Sequence, residues 1–134
     1  MAFDRSLFRA ALIDNFLKAF LDKLADLIDE GLSPVSGTAT ATAGAATLNR
    51  KAGTVTSEAL TTAGSGEYVL TVTNSYVAAN SVVLCSVDTG TNTNVTGLVV
   101  RTVTPAAGNF HVHIYNASAS ALDGTIKVSF LVAA

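Results

Sequence analysis

The sequence predicts a mainly β protein: an N-terminal amphipathic helix, a flexible linker, and a small antiparallel β-sandwich or jelly-roll-like domain. Three observations predict it. Apolar residues recur every three or four positions up to about residue 29 and every second position from Leu48 onward. Between those stretches large side chains almost vanish. Charge divides the same way: ten of the eighteen charged residues fall in the first thirty positions, and the remaining 104 carry four acids and four bases. The expected segments are a helix in 1–31, a linker in 32–47 and a β domain in 48–134.

The helix is read over 4–29. Ala10, Ile13, Leu17, Phe20, Leu24 and Leu27 are separated by alternating steps of three and four, which places them on one stripe. Leu7, Phe8, Leu12, Phe16, Leu21 and Ile28 widen that stripe beyond a two-stranded seam, while Asp14, Lys18, Asp22 and Asp26 occupy other faces. Gly31 supplies a C-terminal stop and Pro34 follows it. A lone helix cannot bury such a stripe against itself, so Ile13, Leu17, Phe20, Leu24 and Leu27 are the candidate partner-binding residues. The stripe could meet copies of itself, a groove on another protein, or the chain's own β domain. A membrane-surface helix would be richer in Lys and Arg than this segment, where residues 1–31 hold six acids against four bases.

Residues 33–47 contain no charge and only Val35 as a larger side chain, a composition that fits a flexible tether or an arm ordered on a neighbouring subunit. Beyond it, period-two patterning predicts strands near 54–60, 67–73, 81–87, 97–104, 109–116 and 124–132. The turn-rich segments 64–66, 74–75, 88–94, 105–108 and 123–124 separate them. Tyr68, Leu70 and Val72 alternate with smaller or polar residues, and Ile126, Val128, Phe130 and Val132 form the clearest inward face.

Little in the sequence carries chemistry. A net charge of -2 gives no footprint for nucleic acid. No apolar run is long enough to cross a bilayer, and Asp4 interrupts any signal-like opening, so export through a cleavable leader is not expected. The single cysteine, Cys85, excludes an internal disulfide and is expected to be a buried small hydrophobe. Glu58, Glu67, Asp88 and Asp123 are the acids of the β domain, and none has an obvious partner. The segment 88–92 faintly resembles a calcium loop but has too few carboxylates at ligand spacing. No nucleophile arrangement or phosphate loop is present, so the chain is expected not to be an enzyme and to need no cofactor. His111 and His113 flank Val112, which puts both imidazoles on one face of a strand about 7 Å apart. Two histidines make an incomplete metal site, although a threefold axis would bring several pairs together. A solvated or interface-facing pair is the simpler reading. Asn94-Val95-Thr96 and Asn116-Ala117-Ser118 match glycosylation sequons, which without an export signal are read as accidental.

Four stretches carry a family resemblance: Ala52-Gly53-Thr54-Val55-Thr56-Ser57-Glu58-Ala59-Leu60-Thr61-Thr62, then Tyr68-Val69-Leu70-Thr71-Val72-Thr73-Asn74-Ser75, then Val103-Thr104-Pro105, and last Leu122-Asp123-Gly124-Thr125-Ile126-Lys127-Val128-Ser129-Phe130. In strand and turn pattern they resemble the small β-sandwich structural proteins of tailed-bacteriophage heads, over roughly two thirds of the chain. The resemblance implies a capsid decoration, or cement, protein: a homotrimer on the major capsid protein, made in the host cytoplasm and located on the virion surface. It does not extend to the N-terminal helix. That leaves room for the alternative of a trimeric fibre or receptor-binding module recognising a cell-surface glycan.

Overall fold

The structure, a computed structural model, describes residues 5–31, 36–93 and 95–133. The chain divides into two compact units, Met1–Pro34 and Val35–Ala134.

The first unit is helix α1, Arg5–Gly31. At 1.5 Å per residue its 27 residues extend about 40 Å. The expected helix is thus present, with Gly31 as its last residue; Pro34 lies outside the described residues.

The second unit is a β-sandwich of two four-stranded sheets. Its strands are β1 Ser36–Thr40, β2 Ala45–Thr47, β3 Ala52–Thr56, β4 Glu67–Thr73, β5 Val82–Asp88, β6 Leu98–Ala106, β7 Asn109–Asn116 and β8 Lys127–Ala133. One sheet runs β1-β3-β8-β5 and the other β2-β4-β7-β6. The alternation anticipated from the sequence sets the inward faces: Tyr68, Leu70 and Val72 from β4, Phe110, Val112 and Ile114 from β7, and Val128, Phe130 and Val132 from β8 are all buried. Phe110 meets Phe130 edge-on between the sheets, ring centroids 5.1 Å apart at 60°.

The largest departure from expectation is the linker. Of 32–47, residues 32–35 lie outside the described residues, but 36–47 are not a tether: they form β1 and β2. Each pairs in parallel with a strand of a different sheet, β1 with β3 and β2 with β4, so neither sheet is purely antiparallel. Between them Ala41 is buried and donates its N–H to Thr56 O at 2.7 Å. Small residues are the reason this works. Gly37 and Gly53 face each other across the β1–β3 pair, and a Cβ on Gly53 would come within 2.6 Å of Leu48 Cδ2. Leu48 therefore lies over both glycines. The chain then reverses at Thr42–Ala45, with Ala43 at φ 51 and Gly44 at φ 74, the two positive angles of a type I′ turn.

Other boundaries moved for local reasons. Strands expected at 67–73 and 109–116 are β4 and β7. The run expected at 54–60 leaves the ladder after Thr56, because Ser57 Oγ accepts the N–H of Ile126 at 2.9 Å in place of a backbone carbonyl. The same capture delays β8, expected from 124, to Lys127. Pro105, expected in a turn, sits inside β6; as an edge strand, β6 tolerates the missing N–H there. Cys85 is only partly buried against the core rather than enclosed, and desolvation pushes its thiol pKa up to about 11.

Two outcomes test this arrangement. A chain beginning at Ser36 should melt cooperatively. One beginning at Leu48, which loses both edge strands and the burial of Ala41 and Ala46, should be less stable by about 2–4 kcal/mol in urea titration. Ala43→Gly should raise the stability of the full chain by about 1 kcal/mol, since glycine removes the left-handed strain of an L-residue at that angle.

Candidate functional site

Two surfaces hold the residues singled out from the sequence, one on each unit. On α1, Ile13, Leu17, Phe20 and Leu24 are all exposed, as are Leu12, Phe16 and Leu21; the seven range from 39 to 71% exposure. The Phe16 and Phe20 rings stack at 6.4 Å between centroids. Leu27 is in the helix, but its side chain lies outside the described residues. At 100° per residue these positions cover an arc of about 180°, half of the cylinder. Isolated exposed apolar residues are ordinary on a protein surface, but a continuous face of large ones is an interaction surface. Among the described residues no helix is long and apolar enough to cross a membrane.

The second surface is the outer face of the β2-β4-β7-β6 sheet. Burying Phe110, Val112 and Ile114 turns His111, His113 and Tyr115 outward on β7, so the two imidazoles share a face as expected. Each has its own partner. Thr71, directly opposite His111 on β4, places Oγ1 2.9 Å from its Nδ1. Glu67 accepts from His113 Nδ1 at 2.7 Å, which leaves Nε2 of that ring directed elsewhere. Glu67 also accepts from Arg101 Nη1 at 3.2 Å, and the Arg101 guanidinium lies 4.8 Å from the Tyr115 ring centroid. Arg101 continues the outward alternation of Val99 on β6, and the β6–β7 register shift between Val100 and Thr102 turns Thr102 outward after it. The hydrogen bond from His113 and that from Arg101 hold the Glu67 carboxyl below its ordinary value of 4.5.

The four acids without obvious partners in the sequence all have partners in the fold. Besides Glu67, Glu58 accepts from Gly44 N at 2.9 Å and Tyr68 OH at 3.2 Å, and burial with the nearby Glu58 charge raises the Tyr68 pKa. Asp88 accepts from Gly90 N at 2.7 Å, and Asp123 from Thr93 N at 2.9 Å. The calcium-like segment 88–92 is laced to 123–125 by Asn92, which donates to Thr125 O and accepts from Asp123 N, both at 2.8 Å. Among the described residues no three His, Cys, Asp or Glu side chains gather as metal ligands; His111 and His113 remain a pair.

The sequon at Asn116 is closed to modification in the folded chain. Asn116 is 1% exposed, donates to Ser120 O at 2.9 Å and accepts from Ser118. Asn94 lies outside the described residues. The sequence pattern missed Glu67, Arg101 and Tyr115 as a group with His113. Period-two spacing already put Tyr115 beside the histidines, but Glu67 enters through the β4–β7 register and Arg101 through the β6–β7 register.

The Glu67 contacts have a pH consequence. Because its pKa is lower folded than unfolded, its contribution to stability is present above about pH 4.5 and is lost as pH falls through the folded value. Glu67→Gln should flatten that part of the acid limb of a stability–pH curve, and the effect should shrink in high salt because the pair is solvent-exposed. No family model, no curated protein and no solved structure matches this chain.

Proposed function

We propose that the chain is a structural virion protein: a homotrimeric capsid decoration protein that binds the major capsid protein of an assembled phage head and stabilises it. The observation that carries this reading is the pairing of a self-contained β-sandwich with a separate helix whose apolar half is exposed. A partner protein is what such a helix needs, and the sandwich brings no comparable demand. The outer face of the β1-β3-β8-β5 sheet joins a row of small hydroxyl residues, Thr38, Thr54, Ser129 and Ser86 in register, to the opposite charges of Asp88 and Lys127 on one side and the apolar Leu84 and Leu131 on the other. Many copies of such a surface can lie on one lattice without strong mutual repulsion. The resemblance of 52–62, 68–75, 103–105 and 122–130 to phage head proteins supports the same reading.

The mechanism is mechanical. A ligand that binds the assembled shell and not free coat subunits lowers the free energy of the shell by mass action. Three weak contacts on one trimer then act together, since the second and third form intramolecularly. Only 32–35 separate α1 from β1, so effective concentration is set by a short connection rather than by the long arm expected from the sequence.

A fibre or receptor-binding module for a cell-surface glycan is the second reading. It is favoured by the exposed Tyr76 and by Tyr115, although each ring has a basic neighbour, Lys51 and Arg101, rather than another aromatic.

Purified protein added to undecorated cognate heads should bind saturably at fixed lattice positions and raise the temperature of shell disruption. Heads that disrupt at the same temperature with and without saturating protein would overturn the decoration reading in favour of the fibre.

A further inference from the structure

We propose that α1 closes the assembly by pairing with copies of itself as a parallel, in-register, three-stranded coiled coil. This inference goes beyond the virion reading and does not depend on it, since a decoration protein and a fibre would both be served.

The heptad comes first. Steps of three and four assign Ala10, Leu17 and Leu24 to the first core position and Ile13, Phe20 and Leu27 to the second. With that frame the solvent positions take Asn15 and Asp22, Lys18 and Asp26, together with Ala11, Ala19 and Ala25, while Phe8 and Leu12 are large apolar residues outside the core and flanks. The flanking positions then decide orientation. On the side preceding the first core position stand Arg9, Phe16 and Lys23; on the side following the second stand Asp14, Leu21 and Ile28.

In parallel helices at equal height, each residue of the first flank meets the neighbouring copy's residue five positions further on. Arg9 then faces the neighbouring copy's Asp14, and Phe16 faces the neighbouring copy's Leu21. The third pair of positions is Lys23 and the neighbouring copy's Ile28. Two of the three pairings are matched in kind, base with acid and apolar with apolar. An antiparallel arrangement joins like flanks, bringing Arg9 toward Lys23 and setting Asp14 against Leu21 or Ile28. Within one helix Arg9 and Asp14 are about 140° apart, so a pairing between them is between copies.

The number of strands follows from composition and width. Parallel dimers favour a β-branched residue at the first core position, whereas Ala10, Leu17 and Leu24 hold it here, so the core does not select two strands. The exposed arc of about 180° includes Phe16 and Leu21 on the flanks, more than a two-stranded seam covers. A third helix covers these flanks while each Arg9 keeps one Asp14.

The test is a charge exchange on the full chain, read by sedimentation velocity across a concentration series. The unaltered protein should sediment as a trimer at micromolar concentration. Arg9→Asp sets acid against acid at three contacts and should raise the midpoint concentration for assembly about tenfold. The double variant Arg9→Asp with Asp14→Arg should restore it, a recovery that loss of helix propensity alone would not give. Far-UV circular dichroism checks that each variant keeps its helix and strands; should Arg9→Asp lose its helix, the reverse single variant Asp14→Arg carries the same comparison. A monomer at all concentrations overturns the inference, as does a double variant no better than the single ones. Flotation with anionic phospholipid vesicles without self-association overturns it in favour of a membrane surface. A monomer that still binds heads would sink the coiled coil and leave the decoration reading without its trimer, while a trimer that leaves heads unbound would sink decoration and keep the coiled coil.

Discussion

The contact between Phe110 and Phe130 is the constraint on which the rest of the β unit depends. The two rings belong to β7 and β8, central strands of opposite sheets, and Phe110 is completely buried. Because side chains alternate along a strand, holding these two inward also commits Val112, Ile114, Val128 and Val132 inward. His111, His113, Tyr115, Ser129 and Leu131 must then face out. A slip of one residue would bury two imidazoles and expose the core, so register is strongly specified. The chemistry of the outer face is thus a consequence of packing between the sheets, and Glu67 meets His113 only because Leu70 and Val112 are paired inside.

The edges of so small a sandwich are its weak points, and residues 36–47 address one side of both sheets at once. By running along β3, turning, and then running along β4, this segment satisfies the backbone of each strand's open edge with residues small enough to lie flat. Glu58 ties the turn down, taking a hydrogen bond from Gly44 and another from Tyr68 of β4. At the end of β7, Asn116 is buried and substitutes for missing ladder bonds, donating to Ser120 O while its carbonyl accepts from Ser118. At the end of β4, Asn74 does the same, donating to Arg50 O at 2.6 Å and accepting from Tyr76 N. Buried amides of this kind are tolerated because their polar groups are used.

Most of this architecture was legible from periodicity, and what was not legible has a physical cause. Helix α1, β4 and β7 follow from spacing because each has a large apolar residue at nearly every inward position. Strands β1 and β2 have Gly37, Ala39 and Ala46 there instead, and hydrophobic patterning cannot register side chains this small. Such a segment reads as a linker although its alanines and glycines are what permit it to lie against Leu48 and β3. Ser57 misled in the other direction, since β propensity carries the pattern to Leu60 while one hydroxyl ends the ladder. As for the candidate surfaces, the apolar stripe and the histidine pair are local in sequence and were visible. The Glu67–Arg101–Tyr115 surroundings of His113 depend on the register of β4 and β6 against β7, which is a property of pairing and not of any one strand.

The two units answer the cost of apolar exposure in opposite ways. The sandwich encloses most of its large apolar side chains between two sheets, leaving Val69, Tyr76, Val82, Leu84, Val99 and Leu131 exposed. The helix encloses none of the described members of its stripe. Helix stability in water comes mainly from packing an apolar face, and propensity alone leaves even long helices marginal. Fully burying residues such as Leu17, Phe20 and Leu24 is worth about 1.5–3 kcal/mol each, so a partner for this face would stabilise the helix and be bound by it in the same step. Folding of α1 and association are therefore expected to be coupled, whereas the sandwich needs no partner to hold its core. Under the proposed reading the helix sets how many sandwiches act together, and the sandwich faces set what the assembly touches. Changes on the outer sheets would then alter the partner without loosening the assembly, and changes along the stripe would weaken every contact at once.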